Sequence, residues 1–346
     1  MPTSLNQGLF DTAITLHLDI ERVAKGVQGD VVRILEQMQK ELIAKIASGD
    51  YTAWSKSRIS KLLSESDAVI RSYYDNVKGV SIDSTTSIAQ VAASNTLTSL
   101  AVATAHQVEI SSLPTIQYLE TLAGDTLIQG ATQKAWWDRQ TLDTQFKFKS
   151  AMRQGLVANE SPSKTVSRIK DVLNTSKFNA ETLTRTSAQS VANKARDQMM
   201  KDNSDIISAQ ELVSALDRRT CPKCGAMDGK RWTLDGKPIG HSMAFILAPI
   251  HFVCRCCLIP VIKPFDQLGI DLNNIPDQSR ASVDGQVTDK TFQEWLKRKD
   301  STDKSYADTV LGKGRAELWR SGKITFDQLI NGSKIMSLAD LKAKYL

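Results

Sequence analysis

Asp217-Arg218-Arg219-Thr220-Cys221-Pro222-Lys223-Cys224-Gly225 and, further along, Pro249-Ile250-His251-Phe252-Val253-Cys254-Arg255-Cys256 are the two runs on which the reading of this chain turns. A C-x-x-C turn brings two thiolates to one metal ion, and the glycine that follows is expected to relieve backbone strain in the knuckle. H-x-x-C repeats the ligand spacing. Cys221, Cys224, His251 and Cys254 therefore make up a Cys₃His set of the kind that suits zinc, with Cys256 as a rival fourth ligand. Four protein ligands leave no open coordination position, so the metal expected here is a structural staple. Asp235-Gly236, within Lys230–Ile239, has the chemistry of a two-residue hairpin turn, which explains how the residues between the halves return the chain to the site.

The remaining composition bears this out. All five cysteines fall between Cys221 and Cys257 of 346 residues. Their odd number and tight clustering speak against a disulfide framework, and thiols grouped this way point to metal. The chain is long enough for two or three domains, each with its own core. Its longest strongly apolar run, Met243–Ile250, is far short of the roughly 20 residues that a membrane-spanning helix needs. Residues 1–20 lack a basic start and a compact apolar run, so the expectation is a protein made and used in a cytoplasm. Net charge is −2 over residues 1–150, +6 over 151–260 and +2 over 261–346. That excess suits a few phosphate contacts and equally suits a well-solvated surface.

Periodicity predicts a mainly α protein with a helical N-terminal region, a small central α+β zinc-stapled module with a β-hairpin, and a helical C-terminal extension. Asp30 reads as the cap of a helix whose apolar stripe is Val31, Ile34, Leu35, Met38, Leu42 and Ile46, with Gly49 as its stop. A second helix carries Trp54, Ile59, Leu62, Leu63, Val69, Ile70, Tyr73 and Val77 and ends before Gly79, and a third occupies 84–107. Pro114 suits a first-turn position, and a helix through Trp136-Trp137 reaches about Leu156. Ser161-Pro162 starts a short helix to about Leu173, and Asn179 caps a longer one through Met200. Ala209–Leu216 and Cys257–Ile262 read as strands. The last 85 residues return to capped helices with Trp295, Leu311, Leu318, Trp319 and Leu329 buried. The corresponding domains are 1–156, 157–262 and 263–346.

The run from Asp217 through Cys256 resembles the phage Mu F-like head morphogenesis family. Arg185-Thr186-Ser187 and Ala192-Asn193-Lys194-Ala195 resemble the helix that precedes the cysteines in that family, with Ser187 where an acidic residue is usual. Trp295-Leu296-Lys297, Leu311-Gly312-Lys313-Gly314-Arg315 and Ser321-Gly322-Lys323 resemble a C-terminal extension of some members. The resemblance implies a minor head protein without catalytic activity, located inside the virion and in the host cytoplasm during assembly. Its implied partners are the portal protein, capsid or scaffold proteins and, non-specifically, viral DNA, with a part in packaging or ejection and no membrane contact. Two other classes compete. A zinc-stapled His-Asn-His nuclease would use His241 as base, but no acidic residue or histidine precedes it and no asparagine follows before Cys254. A sequence-specific DNA-binding zinc protein would read bases from Arg185, Gln189, Asn193, Lys194 and Arg196, which spread around their helix. His17 and His106 stand alone and carry no expected chemistry.

Overall fold

Helix α1 (Leu5–Ala47) buries Ile20, Ala24, Val31, Leu35, Met38, Leu42 and Ile46 along one side, at the three- and four-residue steps that keep side chains on one helical face. The computed structural model describes residues 5–47, 56–158, 160–271, 280–332 and 334–346. It is 65% helix with a small central antiparallel sheet, the class the periodicity predicts. Asp30 does not cap a helix: it lies inside α1 and pairs with Arg33 one turn on, at 2.8 Å. Gly49 and Trp54 lie outside the described residues.

Helix α2 (Lys56–Ala103) passes straight through Gly79, the expected stop. The cost of a mid-helix glycine is only about 1 kcal/mol, and the buried stripe Ile70, Tyr74, Val77, Ser81, Ile88 runs across it uninterrupted. After it come α3 (Ile116–Asp125), the hairpin β1 (Leu127–Ile128) and β2 (Ala131–Thr132), α4 (Gln133–Val157) and α5 (Pro162–Asp202). Pro114 precedes α3 and is not in its first turn. Helix α5 merges the two helices expected on either side of residues 173–179. Leu173, Ser176, Ala180 and Leu183 continue one buried stripe through Asn179, so no break is needed.

Packing divides the chain into two units that interleave in sequence, Ile20–Ala89 with Ile116–Val191, and Met1–Asp19 with Gln90–Thr115 and Ala192–Leu346. In the first, segments of α1, α2, α4 and α5 form an antiparallel bundle, closed by polar contacts inside an apolar core. The Tyr74 hydroxyl meets Thr144 at 2.9 Å, Thr144 donates to Ser176 at 3.0 Å, and Gln133 Nε2 donates to Ser81 at 2.5 Å. Glu21 accepts from both Arg185 and Gln189.

The second unit is built on a four-stranded antiparallel sheet in the order β5-β4-β3-β6, from β3 (Ile207–Val213), β4 (Arg231–Trp232), β5 (Pro238–Ile239) and β6 (Cys257–Ile262). The β4–β5 connection is longer than the two-residue turn expected. Gly236 N–H bonds back to Thr233 O, and Gly236 takes φ +87°, which gives a three-residue loop with glycine in the left-handed position. Short helix α6 (Pro222–Met227) leads into β4. Beyond β6 lie the hairpin β7 (Arg280–Ser282) and β8 (Gly285–Val287), helices α7 (Phe292–Thr302), α8 (Ser305–Leu311) and α9 (Lys313–Arg320), the hairpin β9 (Ile330–Asn331) and β10 (Lys334–Ile335), and α10 (Leu338–Tyr345). Two cores meet at α6. Cys224 and Met227 join Trp232, Ile250, Leu258 and Leu212, whereas Ala226 joins Phe292, Trp295, Leu311, Phe326 and Leu329.

Candidate metal centre

Helix α6 places the first half of the site. Pro222 fills its first turn, where no N–H is needed, and the Cys221 sulfur caps it by accepting from Cys224 N–H at 3.4 Å. The second half is an irregular turn in which Cys254 N–H bonds to His251 O and Val253 is held at φ +53°. A β-branched residue in that region is strained by about 1–3 kcal/mol, a cost met where surrounding contacts overdetermine the backbone. Lys223 Nζ reaches Ile250 O and ties one half to the other.

The side chains converge. His251 Nε2 lies 3.3 Å from the Cys221 sulfur and 3.1 Å from that of Cys224, and the Cys224 and Cys254 sulfurs are 3.7 Å apart. Cys221, Cys224 and His251 form one group of mutually close donor atoms, and Cys224, Cys254 and Cys256 form another. Cys224 thus sits at the centre, and the five residues together are a cluster able to bind a metal such as zinc. His251 Nδ1 is 2.7 Å from Phe252 O, a contact in which Nδ1 donates, so that Nε2, which faces the sulfurs, is the ring nitrogen that could bind a metal once it gives up its proton.

Electrostatics within the cluster fit a cation. The Cys221 thiol is pulled down to about 4, chiefly by a hydrogen bond from Cys224, and Cys224 is correspondingly pushed up by holding that proton. Hydrogen bonds from Cys224 and Cys256 lower Cys254. Cys224 favours ionisation of Cys256, but Cys254 and burial outweigh it and raise that thiol. His251 is pushed up to about 10 by its contacts with Cys221 and Cys254, against the opposing effect of burial. Crowded thiols share protons because they cannot all carry charge in a buried site. A dication at the centre would remove that restriction.

The residues around the cysteines have defined tasks. Asp217 accepts from Nη1 and Nη2 of Arg255, at 2.5 and 2.6 Å, and so locks the run before the first knuckle to the run after the second. Arg218 lies over the Tyr306 ring at 3.6 Å and pairs with Asp303, and Thr220 donates to Ala215 O. Gly225 does not serve the purpose expected of it. It is not among the positive-φ glycines; instead, an added Cβ would stand 2.4 Å from Phe292 and 2.9 Å from Phe326. Close packing of the knuckle on the C-terminal helices is what requires glycine.

Helix α5 contributes Asn193, fully buried, whose amide accepts from Leu258 N–H and donates to Cys256 O. It clamps the start of β6, next to the metal cluster. Neither this role nor the Asp228–Arg280 pair could be read from the sequence. Asp228 accepts from Ser214 N–H, Ser214 Oγ, Phe292 N–H and both Nη atoms of Arg280, which itself donates to Ser214 O and Lys290 O. These partners are distant in sequence, and no spacing announces them. Ser187, where the family resemblance leads one to expect an acid, is fully buried, and its hydroxyl has no hydrogen-bond partner among the described residues.

An antiparallel sheet with a Cys/His cluster beside it defines a small module able to bind a metal. Residues 146–259 match the family model described as phage Mu protein F like protein. Residues 260–346 lie outside the match. No curated protein and no solved structure matches the chain. No helix among the described residues is long and apolar enough to cross a membrane.

Proposed function

We propose that this chain is a minor head protein of a tailed bacteriophage, acting in head assembly at the portal and without catalytic activity of its own. The observation that carries the reading is the family match, which spans both halves of the Cys/His cluster. In this reading one structural zinc is held by Cys221, Cys224, His251 and Cys254. His251 is favoured over Cys256 as a ligand because its Nε2 lies 3.3 Å from the Cys221 sulfur and 3.1 Å from that of Cys224, so that it joins the two thiols of the first knuckle. The N-terminal helices of residues 1–156 supply contacts to portal and capsid or scaffold proteins. The positively charged central region, residues 157–262, faces DNA non-specifically and takes part in packaging or ejection. The protein resides in the host cytoplasm during assembly and then inside the head.

Two observations weigh against the rival classes. Both ring nitrogens of His241 are committed to backbone, Nε2 to Arg231 O at 2.8 Å and Nδ1 to Met243 N–H at 3.2 Å, and the ring packs edge-on against Trp232. A base so occupied is poorly placed to activate water. On α5, Gln189, Asn193 and Arg196 are buried and Arg185 is engaged by Glu21, so these side chains do not form a base-reading face. The test is to express the full chain with an affinity tag during phage growth and to identify what it carries. Portal protein should co-purify, and the chain should be present in DNA-filled heads. Normal heads that lack the chain would overturn the proposal.

A further inference from the structure

Helix α4 has a second apolar face that the bundle does not use. Its inner side buries Trp137, Thr144, Phe148, Ala151, Met152 and Gly155. On the opposite side Leu142, Phe146 and Val157 are 63%, 72% and 89% exposed. At 100° per residue these three, with Lys149 and Arg153 between them, fall within a narrow sector of the helix. Beside this stripe runs a groove of about 670 Å³ lined by Phe146, Lys149, Arg153, Val157 and Arg168, and Lys149 and Arg153 also border a hollow of about 440 Å³ reaching Ile59 and Leu63. A helix that is apolar on two opposite faces matches one that is covered on both.

Charge indicates what covers it. Lys149 is paired with Asp67, and Arg168 with Glu160. Arg153, exposed at the middle of the stripe between Phe146 and Val157, has no hydrogen bond or ion pair among the described residues. We infer that the outer face of α4 is a docking surface for an amphipathic helix of another protein, whose apolar stripe seats on Leu142, Phe146 and Val157 and whose flanking carboxylate meets Arg153. The surface from Leu142 to Val157 extends over roughly 22 Å at 1.5 Å per residue, so about four turns of partner helix cover it. Helix-in-groove recognition works through such anchors, with charge setting orientation. The inference stands apart from the proposed function, since it specifies only the chemistry of the partner.

The test uses the intact chain and two synthetic peptides of about 20 residues, long enough to hold helix. Both carry a leucine stripe at three- and four-residue steps, flanked by glutamate in one and by lysine in the other. In fluorescence anisotropy the glutamate peptide should bind at low salt and the lysine peptide should not. Arg153→Glu should weaken binding of the glutamate peptide by about tenfold or more, and Phe146→Asp should abolish it; circular dichroism should be unchanged, since both side chains are exposed. No binding, equal binding of both peptides, or binding that survives both substitutions would overturn the inference. So would sedimentation showing that the wild-type chain is a dimer which Phe146→Asp converts to monomer, because the face would then belong to a second copy.

Discussion

Replacing Asp228 with alanine removes a carboxylate that ties the end of β3 and the knuckle helix to the start of α7. The side chains of Asp228 and Arg280 are 0% and 3% exposed, and their closest approach is 2.7 Å. Without Asp228 a buried guanidinium loses its carboxylate and keeps its bonds to the carbonyls of Ser214 and Lys290, and the N–H groups of Ser214 and Phe292 lose their acceptor. Breaking a buried ion pair by removing one partner costs about 3–5 kcal/mol. That is a large share of the 5–15 kcal/mol typical of a whole domain. Asparagine should rescue little. One carboxylate oxygen faces Ser214 N–H and Arg280, the other Phe292 N–H and Arg280, so an amide NH₂ on either side meets donors. Urea unfolding of the wild type, Asp228→Ala, Arg280→Met and the double variant separates the pair from its surroundings. The double variant should recover more than 1 kcal/mol relative to the sum of the single losses. A cost for Asp228→Ala below about 1 kcal/mol, or strict additivity in the cycle, would refute the reasoning.

Elemental analysis should find close to one zinc per chain, lost in Cys224→Ser and kept in His241→Ala and Cys256→Ser; zinc retained without Cys224 would contradict the ligand set, because structural zinc contributes folding free energy directly. Burial raises the Asp217 carboxyl, but the hydrogen bonds and charge of Arg255, with help from Arg219, outweigh burial and hold it below its usual range. A depressed folded pKa gives stability that is present above the unfolded value, near pH 4, and is lost as pH falls through the folded value. The stability gap between wild type and Asp217→Asn should therefore be open at neutral pH and close below about pH 4; a gap independent of pH would exclude the charge of Asp217 as its source. Gly225→Ala should cost about 1–3 kcal/mol by overpacking against Phe292 and Phe326, with faster hydrogen exchange in α7. Unchanged exchange there would show that the knuckle and the C-terminal helices are not coupled.

Much of this protein is determined by local pattern. The helical stripes of α1 and α2, the existence of helix α4, strand β6, strand β3 (observed two to three residues earlier than expected, at Ile207–Val213), the hairpin near Asp235-Gly236 and the cluster of Cys221, Cys224, His251, Cys254 and Cys256 are legible in the sequence, because periodicity, turn chemistry and ligand spacing are short-range properties. Helix ends were less legible. Gly79 and Asn179 carry stop and cap chemistry worth about 1 kcal/mol each, and continuous burial of neighbours such as Val77, Ser81, Ala180 and Leu183 overrides it. Tertiary structure alone decided the remainder. Asp228 with Arg280, Asn193 on the backbone of β6, Asp217 with Arg255 and the contact of Gly225 with Phe292 join residues far apart in the chain. Their energies come from desolvation and close packing, and those exist only once the chain has brought the partners together.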